Sequence, residues 1–484
     1  MKKVLMVVLA LVIAIVPLSG CKKNGEEISM LSVWVDEEGQ TVSEDTNSDV
    51  SEEQGGNTSK NQGATSSSSS KNQGGNASAT KPVNGKYDFG GATYTMAITD
   101  EEQYNTTSFK QMKAAFEKKY NLKIKTNKLV FDEYNKQVTQ KMSTEKSYDI
   151  CYIHGSMFPG CVVGGSVLYN DLTDTVNQVN SSVINVDRSK EYFSWDGKLY
   201  GVISDDSLFA VIMYYNKYFF QNAGLEDPRE LYNAGNWTWE KIFEQGAQVV
   251  KGGEYYLGHQ GSPTVYGETN NYLRNGKYYN NLRSANYRKT LELVKKLYTG
   301  NDAIGTISTS NQGYVEAFAN GKYYVSIEEH SKYPSFAAAA AKSVNLDRNY
   351  KNVGIVPLPL PAENTSKAYP VGWYTAVASG KGSDPTVAVL WADFSKSYKS
   401  PVKGKYELSD EDQALVDKLI SGNIANTHGS ATNNSDRTLD IQARILGQVK
   451  NGGDIDQLIN ENYKVMSDCI ATTVGKENLV EVNN

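Results

Sequence analysis

Three acidic clusters in this chain are equipped to do chemistry: Asp100-Glu101, Asp205-Asp206, and Glu328-Glu329 with His330 directly after. Paired carboxylates suit three tasks. They can share acid and base roles in glycoside hydrolysis, hold a cation or polyamine, or accept hydrogen bonds from sugar hydroxyls. Adjacent carboxylates need not face one substrate. The chain shows no nucleophile elbow, metal motif or phosphate loop. His154, His259, His330 and His428 are scattered, and no Cys/His spacing suits a metal. No catalytic residue, metal or cofactor is therefore expected.

The start of the chain fixes an address. Lys2 and Lys3 precede an apolar run from Val4 to Val16, and then comes Leu18-Ser19-Gly20-Cys21. A charged start, an apolar core and small residues at the cleavage site make an export signal. The tetrapeptide resembles a bacterial lipobox. Residues 1–20 are thus expected to be removed and Cys21 to carry lipid at the outer face of the cell membrane. Of four cysteines, Cys151, Cys161 and Cys469 remain, an odd number that cannot all pair within one chain. Cys151 and Cys161 are close enough in sequence to pair in an oxidising exterior. The favoured reading is that they are small buried hydrophobes.

The 484 residues suggest two to three domains. A net charge of -6 gives no basic field for nucleic acid. Past the signal, no apolar run approaches the roughly 20 residues needed to cross a bilayer. Residues 22 to about 85 are rich in Ser, Asn, Gly, Glu and Asp, with serine alone from Ser66 to Ser70. Such a stretch buries too little apolar surface to order itself. Residues 21–85 therefore read as lipid anchor and disordered linker, with a coil reach of about 45 Å. That length suits a thick, Gram-positive wall.

From Lys86 the pattern changes. Tyr94–Thr99 reads as a strand, and Phe109, Met112, Ala115, Phe116 and Tyr120 recur at helical spacing. Leu122–Lys125 alternates as a strand, Tyr134–Met142 reads as a helix and Tyr148–Ile153 as a buried strand. This order implies a mostly parallel sheet with right-handed crossovers. Ligands of such sheets lie beyond the carboxyl ends of the strands. The loops Thr99–Tyr104 and His154–Phe158 follow those ends.

The middle of the chain carries a resemblance. Asp196-Gly197-Lys198-Leu199-Tyr200-Gly201-Val202 is followed by Tyr214-Tyr215-Asn216-Lys217, Ala223-Gly224-Leu225, Asp227-Pro228 and Asn236-Trp237-Thr238-Trp239-Glu240. Further on stand Ala317-Phe318-Ala319-Asn320-Gly321-Lys322 and Val353-Gly354-Ile355-Val356-Pro357-Leu358-Pro359. Taken in order, these blocks resemble the extracellular solute-binding proteins of ABC importers, the group that includes maltose- and oligosaccharide-binding proteins. The resemblance covers about residues 88–400. One departure is Ile203, where most members have proline. Read without the family, Asn216 and Lys217 end a strand, Asn236 or Thr238 can cap a helix, and both tryptophans pack against a sheet.

The resemblance implies an α/β, two-lobed periplasmic-binding-protein-like fold of type II. Each lobe would be a mostly parallel sheet flanked by helices, with the solute cleft between them. The first lobe is expected at 86–205 plus about 371–425, the second at 206–370 plus about 426–484. The family makes carbohydrate the default ligand and ABC permease subunits the partners of a monomer. No nucleic acid is expected. Position in this scheme nominates Asp100 and Glu101 after the first strand, and His154 and Ser156 after the third. Asp205 and Asp206 fall at the first crossover, and Trp373 at the return. Tyr266 and Glu268 fall in a loop of the second lobe, and Glu328, Glu329 and His330 at a strand end there. A surface glycan sensor without transport, and a polyamine or peptide binder, are the rival readings.

Overall fold

The computed structural model describes residues 87–483 except 100–101, 131–132, 145–146, 156–157, 164–166, 204–207, 250–255, 260–268, 300–306, 309–312, 360–370, 374, 399–404 and 423–434. The first lobe opens with β1 (Ala92–Thr99), which buries Met96, Ala97 and Ile98. Helix α1 (Thr107–Tyr120) starts at Thr106, whose hydroxyl accepts the Phe109 N–H. It stops at Asn121, which takes the left-handed conformation at φ 49°. Strand β2 (Leu122–Leu129) lies parallel to β1 from Ala92 opposite Leu122 to Thr99 opposite Leu129. Helix α2 (Tyr134–Thr144) leads to β3 (Cys151–His154). Just ahead of β3, Ile150 bridges Met96 in parallel and joins it to the other side of β1. Helices α3 (Thr173–Val179) and α4 (Val186–Phe193) follow. The hairpin β4 (Ser194–Trp195) and β5 (Lys198–Leu199) turns at Asp196-Gly197, both at positive φ.

The second lobe is built on β6 (Leu208–Asn216), whose nine residues are all buried, as a strand covered on both faces must be. Asn216 does more than end it. Its side chain accepts the Phe219 N–H and so caps α5 (Lys217–Ala223). Asp227 caps α6 (Pro228–Asn233). At α7 (Trp239–Val249) the hydroxyl of Thr238 accepts the Lys241 N–H. The Trp237 indole donates to the Pro357 carbonyl at 3.0 Å, which seats it against the sheet. Then come β7 (Leu257–His259), the hairpin β8 (Asn271–Arg274) and β9 (Lys277–Arg283), α8 (Ala285–Thr299) and β10 (Ile307–Ser308). The lobe continues through α9 (Tyr314–Ala319), β11 (Val325–Glu329), α10 (Tyr333–Ala340) and β12 (Val353–Pro357). Its sheet runs β10-β7-β11-β6-β12, and β13 (Val371–Trp373) also pairs with β6.

Strand β14 (Thr375–Ala378) returns to the first lobe, antiparallel to β3. Helix α11 (Pro385–Ser397) follows. Its Trp391 and Phe394 meet Phe116 edge-on at 5.1 and 5.4 Å. Each sheet therefore carries one reversed strand, β14 in the first and β6 in the second, and its other strands run together. These two strands are the ones that receive the chain as it changes lobe.

Helix α12 (Asp410–Ser421) touches both lobes: Arg188 of α4 donates to the Ile420 and Gly422 carbonyls at its end. Its Val416 and Leu419 join the core of Ala210, Ile212 and Phe336, and Asp412 pairs with Arg229 of α6. Helices α13 (Ser435–Lys450) and α14 (Ile455–Val474) lead to β15 (Leu479–Asn483), which lies parallel to β9. Cys151, Cys161 and Cys469 are free thiols. Burial pushes the Cys161 thiol up to about 12.

Candidate functional site between the lobes

Register alone shows where the strand ends meet. On the first-lobe side, Val202 and Val377 exchange backbone hydrogen bonds at 2.9 and 3.0 Å. On the second-lobe side, Leu208, Phe209 and Ala210 oppose Trp373, Gly372 and Val371. The described residues flanking the outgoing and returning crossovers are thus paired side by side and antiparallel. Thr375 then opposes His154, the last residue of β3. Val211 opposes Glu329, the last residue of β11. The carboxyl ends of β3 and β11 arrive at the same two-stranded ribbon from opposite lobes.

Local contacts fix the ribbon. Gly201 leaves no room for a side chain, because a Cβ there would lie 2.6 Å from the Ala376 Cβ. The buried N–H of Ile203 donates to the Ser189 hydroxyl at 2.8 Å. That hydroxyl in turn donates to the Asn185 carbonyl at 2.7 Å. Proline has no N–H, so the bond accounts for isoleucine at this position. Next to β14, Asn170 knots the turn that leaves the strand. Its amide donates to the Gly380 and Ser383 carbonyls at 2.7 and 2.9 Å and to the Ser379 hydroxyl at 3.0 Å.

The second-lobe face is held by His330 and Tyr214. The backbone N–H of Ala210 donates to His330 Nδ1 at 3.0 Å. This places the imidazole proton on Nε2. Burial holds the imidazole below its usual range, with Asp417 opposing it, and only the neutral ring can accept the Ala210 N–H. The Tyr214 hydroxyl donates to the carbonyls of Glu329 and His330 at 2.7 and 3.0 Å. Burial raises its pKa, and the nearby Glu328 carboxylate adds to the rise. The Glu329 carboxylate accepts from the Ser331 hydroxyl at 3.1 Å.

The nominated residues divide accordingly. His154, Glu329, His330 and Trp373 are brought to the ribbon, His154 and Trp373 by their backbone positions. Glu328 is 5% exposed and opposes Ile212. Cross-strand partners share a face, so Glu328 points into the core beneath α9 and α10. Asp100, Glu101, Ser156, Asp205, Asp206, Tyr266 and Glu268 lie outside the described residues. Near the exit of β1, Tyr104 packs at 6.5 Å from Tyr152, whose hydroxyl accepts the Trp391 indole N–H. Among the described residues no cluster of His, Cys, Asp or Glu is arranged to hold a metal ion, and no helix is long and apolar enough to cross a membrane.

Two lobes, each with one reversed strand and joined by paired crossovers, define a two-lobed binding-protein fold of the periplasmic type. The same fold is found in the galacto-N-biose/lacto-N-biose I-binding protein of Bifidobacterium longum, solved with lacto-N-biose. The TM-score is 0.61 at 13% identity, over 81% of this chain and 100% of that one. The GacH receptor of Streptomyces glaucescens, solved unliganded and with acarbose, matches at 0.57 and 13%, over 79% and 99%. UgpB of Mycobacterium tuberculosis, solved with glycerophosphocholine, matches at 0.55 and 18%, over 78% and 99%. Residues 111–397, more than half of the chain, match the model of the bacterial extracellular solute-binding proteins, and the chain belongs to that family. Curated protein sequences give no match.

Proposed function

We propose that this protein is the lipid-anchored receptor of an ABC importer. It captures a carbohydrate, an oligosaccharide in the first instance, between its lobes and delivers it to a permease. The observation that carries the reading is the convergence of β3 and β11 on the paired crossovers. A ligand held there gains contacts on closure that it lacks in the open form, so binding favours the closed state. Structural neighbours that hold lacto-N-biose and acarbose support a sugar. Cys21 carries the anchor in this reading.

The proposed contacts are Asp100, Glu101, His154, Ser156, Asp205, Asp206, Tyr266, Glu268, Glu329 and Trp373. The carboxylates accept from sugar hydroxyls, and the indole offers a plate for the C–H face of the ring. His330 contributes through Nε2–H, since Nδ1 is engaged. The Asp205-Asp206 pair makes a polyamine the alternative.

The test is a thermal-shift screen of the chain from residue 22 onward against oligosaccharides, polyamines and peptides. A ligand at about 100 times its dissociation constant adds about 2.7 kcal/mol of stability. A rise with one class of oligosaccharide, abolished by Trp373→Ala and Asp206→Ala, supports the reading. A rise with polyamines alone transfers the site to another solute class, and no rise with any sugar refutes the carbohydrate assignment.

A further inference from the structure

A second polar recess lies on the outer edge of the first lobe, away from the crossovers. It is a hollow of about 510 Å³ between β2 and α2. Asn127 and Lys128 line it from the strand, Gln137, Gln140 and Lys141 from the helix, and Tyr148 from the segment before β3. Strand β2 pairs only with β1 among the described residues, so its other edge is open.

Two observations point to a ligand rather than to an ordinary surface dimple. The first is the lining chemistry. No residue of the wall itself carries a carboxylate, while two ammonium groups and three side-chain amides do line it; one of these amides, Gln137, donates to the neighbouring Glu133 carboxylate at 2.8 Å. Lys141 stands 5.4 Å from the centre of the Tyr148 ring, and Lys128 donates to Asn105. Donors and positive charge are thereby held at one recess. The second is Tyr148 itself. The residue is 1% exposed, and its hydroxyl is buried with no hydrogen-bond partner. A buried hydroxyl left without a partner costs about 1–3 kcal/mol, a cost that a bound acceptor removes.

We infer that this hollow is a second binding site, for a small oxyanion-bearing polyol such as a phosphorylated or carboxylated sugar. Its oxygens accept from Lys128, Lys141 and the amides, and one of them accepts from the Tyr148 hydroxyl. Charge-assisted bonds of this kind are the stronger class. The inference is independent of the cleft and of the solute bound there.

The experiment is calorimetric titration of the chain from residue 22 onward, at constant ionic strength, with inorganic phosphate and separately with glucuronate. Saturable binding of one equivalent is expected, from one anion or from both, and the pair separates phosphate from carboxylate recognition. The double variant Lys128→Gln, Lys141→Gln should weaken it by about tenfold or more. Tyr148→Phe should weaken it severalfold with an unchanged or raised melting temperature, since the variant deletes an unpartnered hydroxyl. Lys141→Arg should keep it. Absence of binding at millimolar anion overturns the inference. So does affinity equal in wild type and in folded variants. Complete displacement of the anion by the cleft solute also overturns it, because the anion then sits in the cleft.

Discussion

Replacing Ser189 by alanine strands the N–H of Ile203 at the point where the chain leaves the first lobe. Both residues are fully buried, so water does not substitute for the lost hydroxyl. An unsatisfied buried donor costs about 1–3 kcal/mol, and Ser189→Ala should destabilise by that amount. Ile203→Pro removes the donor instead. Val202 is already extended and paired with Val377, the conformation favoured before proline. The Ser189 hydroxyl keeps its bond to the Asn185 carbonyl. The cost of this variant is therefore chiefly lost side-chain packing, again about 1–3 kcal/mol. The double variant contains neither the orphaned donor nor its acceptor. Its destabilisation should fall short of the sum of the singles by about 0.5–3 kcal/mol. Urea unfolding followed by circular dichroism, with the slope on denaturant held constant, reads all four proteins. Additivity to within about 0.5 kcal/mol would refute the argument, because the bond would then contribute nothing where proline is the family's usual residue.

Three further outcomes are expected. His330 accepts a hydrogen bond at Nδ1 only when neutral, and burial lowers its pKa. Its contribution is thus complete above the unfolded value of about 6.5 and is lost as pH falls through the lowered folded pKa. His330→Gln should melt lower than wild type at pH 8 and show a flatter dependence below about pH 6.5 in melts taken across pH. Gly201→Ala forces a methyl against Ala376 and should destabilise by about 1–3 kcal/mol in urea unfolding. Asn170→Ala removes two amide protons shared among three acceptors and the acceptor of the Gly382 N–H, and should cost about 2–4 kcal/mol in the same assay, at roughly 1 kcal/mol for each bond. A loss below about 0.5 kcal/mol would show that water replaces the amide.

The alternation of the first lobe was legible because each element declares itself locally. Phe116 and Tyr120 fall on one face of α1, and β2 alternates lysines with buried Leu122 and Ile124. The ends of β3 and β11 were nominated because open sheets bind beyond their carboxyl ends, and the backbone register brings both to the paired strands that link the lobes. Side-chain direction was not. Glu328 and Glu329 are neighbours in sequence, and the two-residue period of a strand sends them to opposite faces. His330 was readable as a polar residue near a cleft. Its tie to Ala210 spans 120 residues, and no local pattern records it. Helix α12 is a parallel case. Its amphipathic stripe announces that one face is buried and is silent on whether that partner is β6 or the first sheet. Tyr214 reads as core from its setting in β6, and only its hydroxyl partners reveal that it steadies the turn after β11.

The reversed strand β14 has a consequence for how the molecule assembles. Strand β3 is in place once residue 154 has been made, but its neighbour β14 begins at residue 375, after the second lobe has been laid down. Until then the edge of β3 and the groove for α11 stand open, and Phe116 lacks Trp391 and Phe394. Closing so long a loop draws on chain entropy before any contact repays it. The first lobe is therefore the earlier to start and the later to finish. A chain emerging N-terminus first keeps an unsatisfied sheet edge exposed while more than 200 further residues follow, and at that stage an escorting factor or a neighbouring strand has something to grip.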